Sequence, residues 1–239
     1  MKRFLLAFLV AAVLAAACLY GFYRWYGWRS LDPTFFEDAI AAFEAEDLVS
    51  PPPEQVVLFT GSSSVRFWSS LSEDMAPIPV LNRGFGGSHM SHVVHFAERI
   101  IHPYRPVAVV VYAGGNDLGG RSGKTAETVL ADFEELVRRI HGELPETKIY
   151  YLTIKPSRLR WDRWPEMQRA NQSVAAFAAS DPRVGVIDTG PATLGPDGTP
   201  RRDIFRFDGL HLNAKGYAAW TEIVRPTLLA DPAIARILP

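Results

Sequence analysis

The sequence has one cysteine in 239 residues, Cys18, so no disulfide framework can hold the fold together. It lacks a dominant charge. The 25 lysines and arginines stand against 26 aspartates and glutamates, a formal net of −1, which argues against the basic face of a dedicated nucleic-acid binder. There is no internal repeat and no low-complexity tract, which sets aside solenoids and arrays. Apolar residues are not scarce: 48% hydrophobic against 21% charged is enough for a normal core and excludes disorder by composition. The length suits one domain, or one domain with an appendage.

The near-zero charge hides an asymmetry. Lys2, Arg3, Arg24 and Arg29 all precede Asp32, and without them 21 basic residues face 26 acidic ones, a net of −5. Between Phe4 and Tyr23 there are 20 residues and no charge. As a helix that run is about 30 Å long, enough to cross a bilayer core. Lys2 and Arg3 in front match the positive-inside pattern, and Tyr20, Tyr23, Trp25, Tyr26 and Trp28 match an interfacial aromatic belt. The expectation is an N-terminal transmembrane signal anchor over residues 1–30, with membrane contact through residues 4–23 and the remainder extracytoplasmic, periplasmic or extracellular. Two alternatives stay open. Cleavage after Ala15-Ala16-Ala17 would release a secreted protein. Lipid modification of Cys18 would follow from the lipobox-like run Leu14 to Cys18, although Ala15 stands where a larger aliphatic residue is usual.

Residues 34–46 space Phe35, Ile40 and Phe43 as a helix behind Asp32-Pro33, and Pro51-Pro52-Pro53 breaks the chain. Residues 31–54 therefore read as a helical lead-in and proline-rich linker. From residue 55 to 239 short apolar runs alternate with helical stretches. The expected strands are Val56–Thr60, Pro79–Asn82, Val107–Tyr112, Ile149–Ile154 and Val184–Asp188. The expected helices are Val65–Leu71, Ser91–Ile101, Ala126–His141, Pro165–Ala179 and Ala214–Leu229. Strands apolar on both faces and alternating with helices predict a parallel sheet covered on both sides. Ligands of such sheets bind beyond the carboxyl ends of the strands.

Four segments follow those ends. Gly61-Ser62-Ser63-Ser64 can raise a hydroxyl at a strand-to-helix turn, where helix N–H groups are free for an anion. Asn82-Arg83-Gly84-Phe85-Gly86-Gly87-Ser88 allows close backbone approach to a ligand. Gly114-Gly115-Asn116-Asp117 sets an amide past the central strand, where it can face developing oxyanion charge. Asp208-Gly209-Leu210-His211 sets a carboxylate where it can orient an imidazole. Taken singly, each also suits an ordinary turn or helix cap.

In this order the four segments resemble the SGNH/GDSL hydrolase family, over about residues 55–230. The forms NRGFGGS and FDGLHL are most similar to its platelet-activating-factor acetylhydrolase-like bacterial branch. The resemblance implies a flavodoxin-like three-layer α/β/α sandwich with about five parallel strands. It implies a serine esterase acting through an acyl-enzyme on Ser63, with His211 as base and Asp208 as the acid orienting it. Ser63 N–H, Gly87 N–H and the Asn116 side chain would form the oxyanion hole. No metal or organic cofactor is implied, and the substrate would be a small ester or an acylated glycan or lipid. One departure is that Ser62 stands where the family has the aspartate of Gly-Asp-Ser. A binding module that kept the fold but lost activity is the alternative.

His89, just past the glycine loop, and Arg158 and Trp161, past the fourth strand, are candidate substrate-binding residues. The His89, His92, His95 spacing reads as ordinary histidines rather than a metal site. Gly119 to Thr125 looks like a phosphate loop but fails on spacing, because Leu118 stands where its first glycine is needed.

Overall fold

The computed structural model describes residues 2–119 and 122–238, and within the first helix it leaves out the side chains of Lys2, Arg3, Leu5, Leu6, Ala7, Tyr23, Arg24, Tyr26 and Trp28. The chain divides into two compact units, residues 1–35 and 36–239.

The first unit is helix α1, Lys2–Arg29, and a following turn. Among its described side chains, Phe4, Phe8, Leu9, Val10, Val13, Leu14, Leu19, Tyr20, Phe22 and Trp25 are exposed, as is Cys18. Among the described residues no helix is long and apolar enough to cross a membrane. Leu5, Leu6, Ala7 and Tyr23 of the expected span lie outside them.

The second unit holds a five-stranded, fully parallel sheet in the order β2-β1-β3-β4-β5. The strands are β1 Val57–Gly61, β2 Val80–Gly84, β3 Ala108–Tyr112, β4 Lys148–Leu152 and β5 Val184–Ile187. The central pair β1 and β3 is buried along its whole length, as its continuous apolar runs require. Side chains alternate between the faces. Val57, Phe59, Ala108, Val110 and Tyr112 meet helix α8, Ala214–Leu229, in a core that includes Trp68, Tyr217 and Trp220. Helices α5 Met90–Ile100, α6 Ala126–Glu143 and α7 Trp164–Ala178 pack side by side, α5 touching β1 and α7 touching β5. This is the expected three-layer α/β/α sandwich.

Two expected helices differ in detail. The lead-in is helical, as expected. Its helix, α2 Glu37–Val49, is part of the second unit, with Ile40 fully buried. Arg83, itself buried, pairs with Asp47, and Arg99 Nε and Nη2 donate to Glu44 at 2.6 and 2.7 Å. It starts at Glu37 rather than residue 34 because Asp32 accepts from Thr34 N and Oγ1, which holds the chain in an Asx turn. The helix expected over Val65–Leu71 is two short ones, α3 Ser63–Arg66 and α4 Leu71–Met75. Trp68 causes the break. Its ring turns into the core at 1% exposure, while its Nε1 donates to Asp74 Oδ2 at 2.6 Å.

Candidate active site

β1 ends at Gly61, with φ +119°, where a Cβ would lie 2.0 Å from the carbonyl oxygen of Tyr112. Only glycine allows β1 and β3 to approach this closely while the chain turns. Ser62 N then donates to that carbonyl at 2.8 Å, and Ser62 is the extended N-cap residue of α3. Ser63 opens the helix. Its N–H belongs to the first turn, where helical donors have no intrahelical partner, and no acceptor for it is found among the described residues.

The late loop is folded by its backbone. Phe205 and Leu212 form an antiparallel bridge, Arg206 N donates to His211 O at 2.7 Å, and Gly209, at φ +66°, donates to Arg206 O at 2.9 Å. Asp208 and His211 are thereby closed into one tight turn. Asp208 Oδ1 accepts from the N–H groups of Leu210 and His211 at 2.9 and 3.0 Å, and its Oδ2 lies 2.6 Å from His211 Nδ1. The other ring nitrogen, Nε2, lies 2.9 Å from Ser63 Oγ, across 148 residues of sequence. The edge of the Phe67 ring packs on the imidazole, with centroids 5.1 Å apart. Partial burial works against ionisation of Asp208, but the hydrogen bonds from the His211 ring and from two backbone N–H groups outweigh it and hold the carboxyl at about 2.

Two further strand ends supply donors. Gly87, at φ +92°, has an N–H with no acceptor among the described residues. Asn116 Nδ2 donates to Ser88 O at 2.9 Å, and its second hydrogen has no acceptor among the described residues. Asn116 Oδ1 accepts from Arg160 Nη2 at 2.8 Å, and Arg160 Nη1 donates to Gly115 O at 2.7 Å. Beside Ser63 is a cavity of ≈ 20 Å³ whose lining includes Ser62, Ser64, Tyr112, Asn116, Lys155 and Leu210. That volume takes one small group. A hydroxyl, an imidazole and an ionised carboxylate in line, with backbone and amide donors nearby, can carry out nucleophilic acyl transfer.

The structure thus brings together Ser63, Asp208 and His211, with Asn116 lining the same cavity as Ser63. It places the other candidates differently. His89 is buried below the glycine loop, where it is the N-cap residue of α5, 3.8 Å from Asp117, and it does not line the cavity. Burial pushes its ring below the usual histidine value, opposed by the Asp117 carboxylate. Arg158 and Trp161 are exposed on the loop after β4 and do not line the cavity either. That loop borders the Asp208–His211 turn, since Leu159 N donates to Gly209 O at 3.0 Å. The Trp161 indole lies 6.4 Å from that of Trp164, at 13°. Among the described residues no cluster of His, Cys, Asp or Glu could hold a metal ion. In the segment that looked like a phosphate loop, Gly120 and Arg121 lie outside the described residues, and Lys124 Nζ donates to Ser91, Asp117 and Asp132. One side chain of the site, Arg160, was missed from sequence; it lies on the stretch after β4, two residues beyond the candidate Arg158.

Residues 52–219 match the GDSL-like Lipase/Acylhydrolase family. The chain belongs to this family. It is 30% identical over 175 residues to the platelet-activating factor acetylhydrolase IB subunit alpha2 of Gallus gallus, covering 69% of this chain and 72% of that protein. Its fold is similar to that of a Streptococcus pneumonia protein described as a platelet activating factor, with a TM-score of 0.72 at 19% identity over 90% of this chain and 98% of the other. It is also similar in fold to an acetyl-xylooligosaccharide esterase from Geobacillus stearmophilus, with a TM-score of 0.56 at 16% identity over 77% and 95% of the two chains. As a GDSL acylhydrolase, the protein is a serine hydrolase of ester bonds.

Proposed function

We propose that the protein hydrolyses esters of acetyl or other short acyl groups on a glycan or lipid, through an acyl-enzyme on Ser63. The observation that carries this reading is the line from Ser63 Oγ to His211 Nε2 at 2.9 Å and from His211 Nδ1 to Asp208 at 2.6 Å. Ser63 Oγ attacks the carbonyl carbon as its proton passes to His211 Nε2. Asp208 holds the imidazole in the required tautomer and stabilises the imidazolium. The oxyanion is taken by Ser63 N–H, Gly87 N–H and the free hydrogen of Asn116 Nδ2. Collapse expels the alkoxide, which takes the proton from His211. A water deprotonated by His211 then releases the acid and restores Ser63. The small cavity beside Ser63 favours a short acyl group. The exposed Trp161 indole suits the apolar face of a sugar or a lipid chain.

The reading places this chemistry outside the cytoplasm, on a membrane anchor formed by residues 4–23. The support is the uncharged run behind Lys2 and Arg3 and its continuous helix of 28 residues, about 42 Å long.

A panel of nitrophenyl esters from acetyl to palmitoyl, with acetylated xylan and peptidoglycan, tests the activity, and turnover should fall steeply with acyl length. No turnover of any ester, with no fluorophosphonate label on the protein, would favour a non-catalytic binding module. A high-salt wash tests the anchor. The full chain should stay with the membrane, because an apolar span is not held by charge, and release by salt alone would refute it.

A further inference from the structure

A second cavity, of ≈ 330 Å³, is lined by α7, by the edge strand β5 and by the chain that follows it. That volume falls within the range of small-molecule sites, about 300–1,000 Å³. One stripe of α7 forms its wall. Trp164, Gln168 and Gln172 follow one another at four-residue steps, so they share a face beside the buried row of Met167, Ala170 and Val174. The Gln168 and Gln172 amides are exposed and have no hydrogen-bond partner among the described residues. Asp188, just past β5, lines the cavity from the side of the sheet. Its Oδ1 accepts from Thr153 Oγ1 at 2.8 Å and from Gly190 N at 3.0 Å, which fixes the carboxylate and leaves Oδ2 without a partner among the described residues. Trp164 and Asp188 converge on Gly190, where a Cβ would lie 3.1 Å from Asp188 Oδ1 and 3.9 Å from Trp164 Cη2.

Asp188 is the only charged residue of the lining, which holds no lysine or arginine. A phosphate or carboxylate ligand would meet a carboxylate and no cation. An alkyl chain would displace water from Asp188 and from two amides without replacing its hydrogen bonds. A neutral sugar ring answers every group. Its C–H face covers an indole, and its hydroxyls donate to a carboxylate and exchange hydrogen bonds with amides, which both donate and accept. The cavity also adjoins the candidate active site. Asn171 lines it while its side chain accepts from Ile154 N at 2.8 Å and donates to Ile154 O at 2.9 Å, and Ile154 lines the cavity beside Ser63. Met167 and Gln168, neighbours on α7, line one cavity each. In the sheet order β4 and β5 stand two and three strands from β1, about 10–14 Å at ordinary strand spacing.

We propose that this cavity is a subsite for one neutral sugar unit of the acylated glycan, a few units along the chain from the ester at Ser63. The proposal rests on the esterase reading above and decides between its two acyl carriers, for a glycan and against a lipid. Trp164 is the stacking platform, Asp188 the acceptor for hydroxyls, and Gln168 and Gln172 the outer grip. Contacts here hold the substrate at a distance from the reacting bond. The small cavity beside Ser63 then needs to fit the acyl group only and not to supply the affinity.

The experiment is calorimetric titration of the full chain, in a detergent without a sugar headgroup, with xylotetraose, cellotetraose and chitotetraose, all neutral. At least one should bind, and the double variant Gln168→Ala, Gln172→Ala should weaken it about tenfold or more, as the loss of two hydrogen bonds predicts. Both positions are exposed on a helix, where alanine is the best helix former, so the variant should fold. On the acetylated form of that oligosaccharide, the ratio of its kcat/KM to that of nitrophenyl acetate should fall by a similar factor in the variant. Binding of none of the three overturns the proposal, as does binding that the double variant leaves unchanged. Dodecanoate bound in their place, and weakened by the double variant, would assign the cavity to an acyl chain and overturn it too. Turnover of nitrophenyl acetate with no sugar bound would leave the esterase reading standing and remove this one. Sugar binding that the double variant loses, with no turnover of any ester and no fluorophosphonate label on Ser63, would keep the sugar site and remove the esterase reading.

Discussion

Arg160 donates to the side-chain oxygen of Asn116 at 2.8 Å, and this bond decides which way the Asn116 amide faces. An amide has one acceptor end and one donor end. With the oxygen held by a guanidinium, the NH₂ group must face Ser88 O and the crevice. Arg160 is thus a positioning residue for the proposed oxyanion donor. Asn116→Ala should lower kcat by roughly 10²–10³ with a smaller change in KM, because the donor meets charge that develops only in the transition state. Arg160→Met should lower kcat less, and the double variant should be no worse than Asn116→Ala alone, since the two act through one amide. Steady-state kinetics of the three variants check this. A double variant that loses the product of the single effects would mean that Arg160 acts independently.

Of the three adjacent serines only Ser63 faces His211. Ser64 is buried and its hydroxyl is held by Lys155, while Ser62 is buried in the turn. Ser63→Ala should abolish turnover and labelling by a fluorophosphonate. Ser62→Ala and Ser64→Ala should still be labelled. Peptide mapping of the adduct gives the answer, and a phosphonyl group on Ser62 or Ser64 would overturn the assignment.

The Asp208 carboxyl, held at about 2, keeps its charge at any ordinary assay pH. Its pKa is depressed on folding, so its contribution to stability is complete above the unfolded value of 3.8 and is lost as pH falls through about 2. An acid limb of kcat/KM above pH 5 therefore does not report this carboxylate. Asp208→Asn should cost roughly 10²–10⁴ in kcat, because an amide stabilises the wrong tautomer. A pH–rate profile of the wild type that is flat from 5 to 9, with chemistry limiting the rate, would contradict a histidine base.

Burial lowers the pKa of His89, and Lys124 and Arg160 add to that against the pull of Asp117. Between the lowered value and the ordinary 6.5 the unfolded chain binds more protons than the folded one, so stability rises as pH rises through that window and is lost as pH falls. His141, also lowered by burial, adds a slope of the same sign. Urea unfolding at pH 7 and pH 5 should show lower stability at pH 5. His89→Gln should flatten the slope while keeping a neutral polar group in place. An unchanged slope would mean that His89 does not titrate with unfolding.

The sheet was legible because its strands are buried on both faces. A run such as Val107 to Val111 has no polar residue to suggest anything else, and only the strand ends moved by a residue or two. The candidate triad was legible because Gly61-Ser62-Ser63-Ser64 and Asp208-Gly209-Leu210-His211 resemble segments of the family. Trp68 was not, because helical spacing does not reveal that one ring turns inward and ends the helix. Neither was α2 as part of the fold. Its Glu44 and Asp47 look like solvated charges until Arg99 and Arg83 are brought against them from 55 and 36 residues away. Arg160 was missed for the same reason. It is a surface-type residue in sequence, and its partner lies 44 positions away.

The separation of Ser63 from His211 has a consequence for the birth of the enzyme. The proposed nucleophile follows the first strand, whereas the proposed base comes after the last one and just before α8. A nascent chain has its serine early but no base until almost all of it has left the ribosome. The hydrogen bond between them needs both ends of the fold, so a chain still without residue 211 lacks the proposed base.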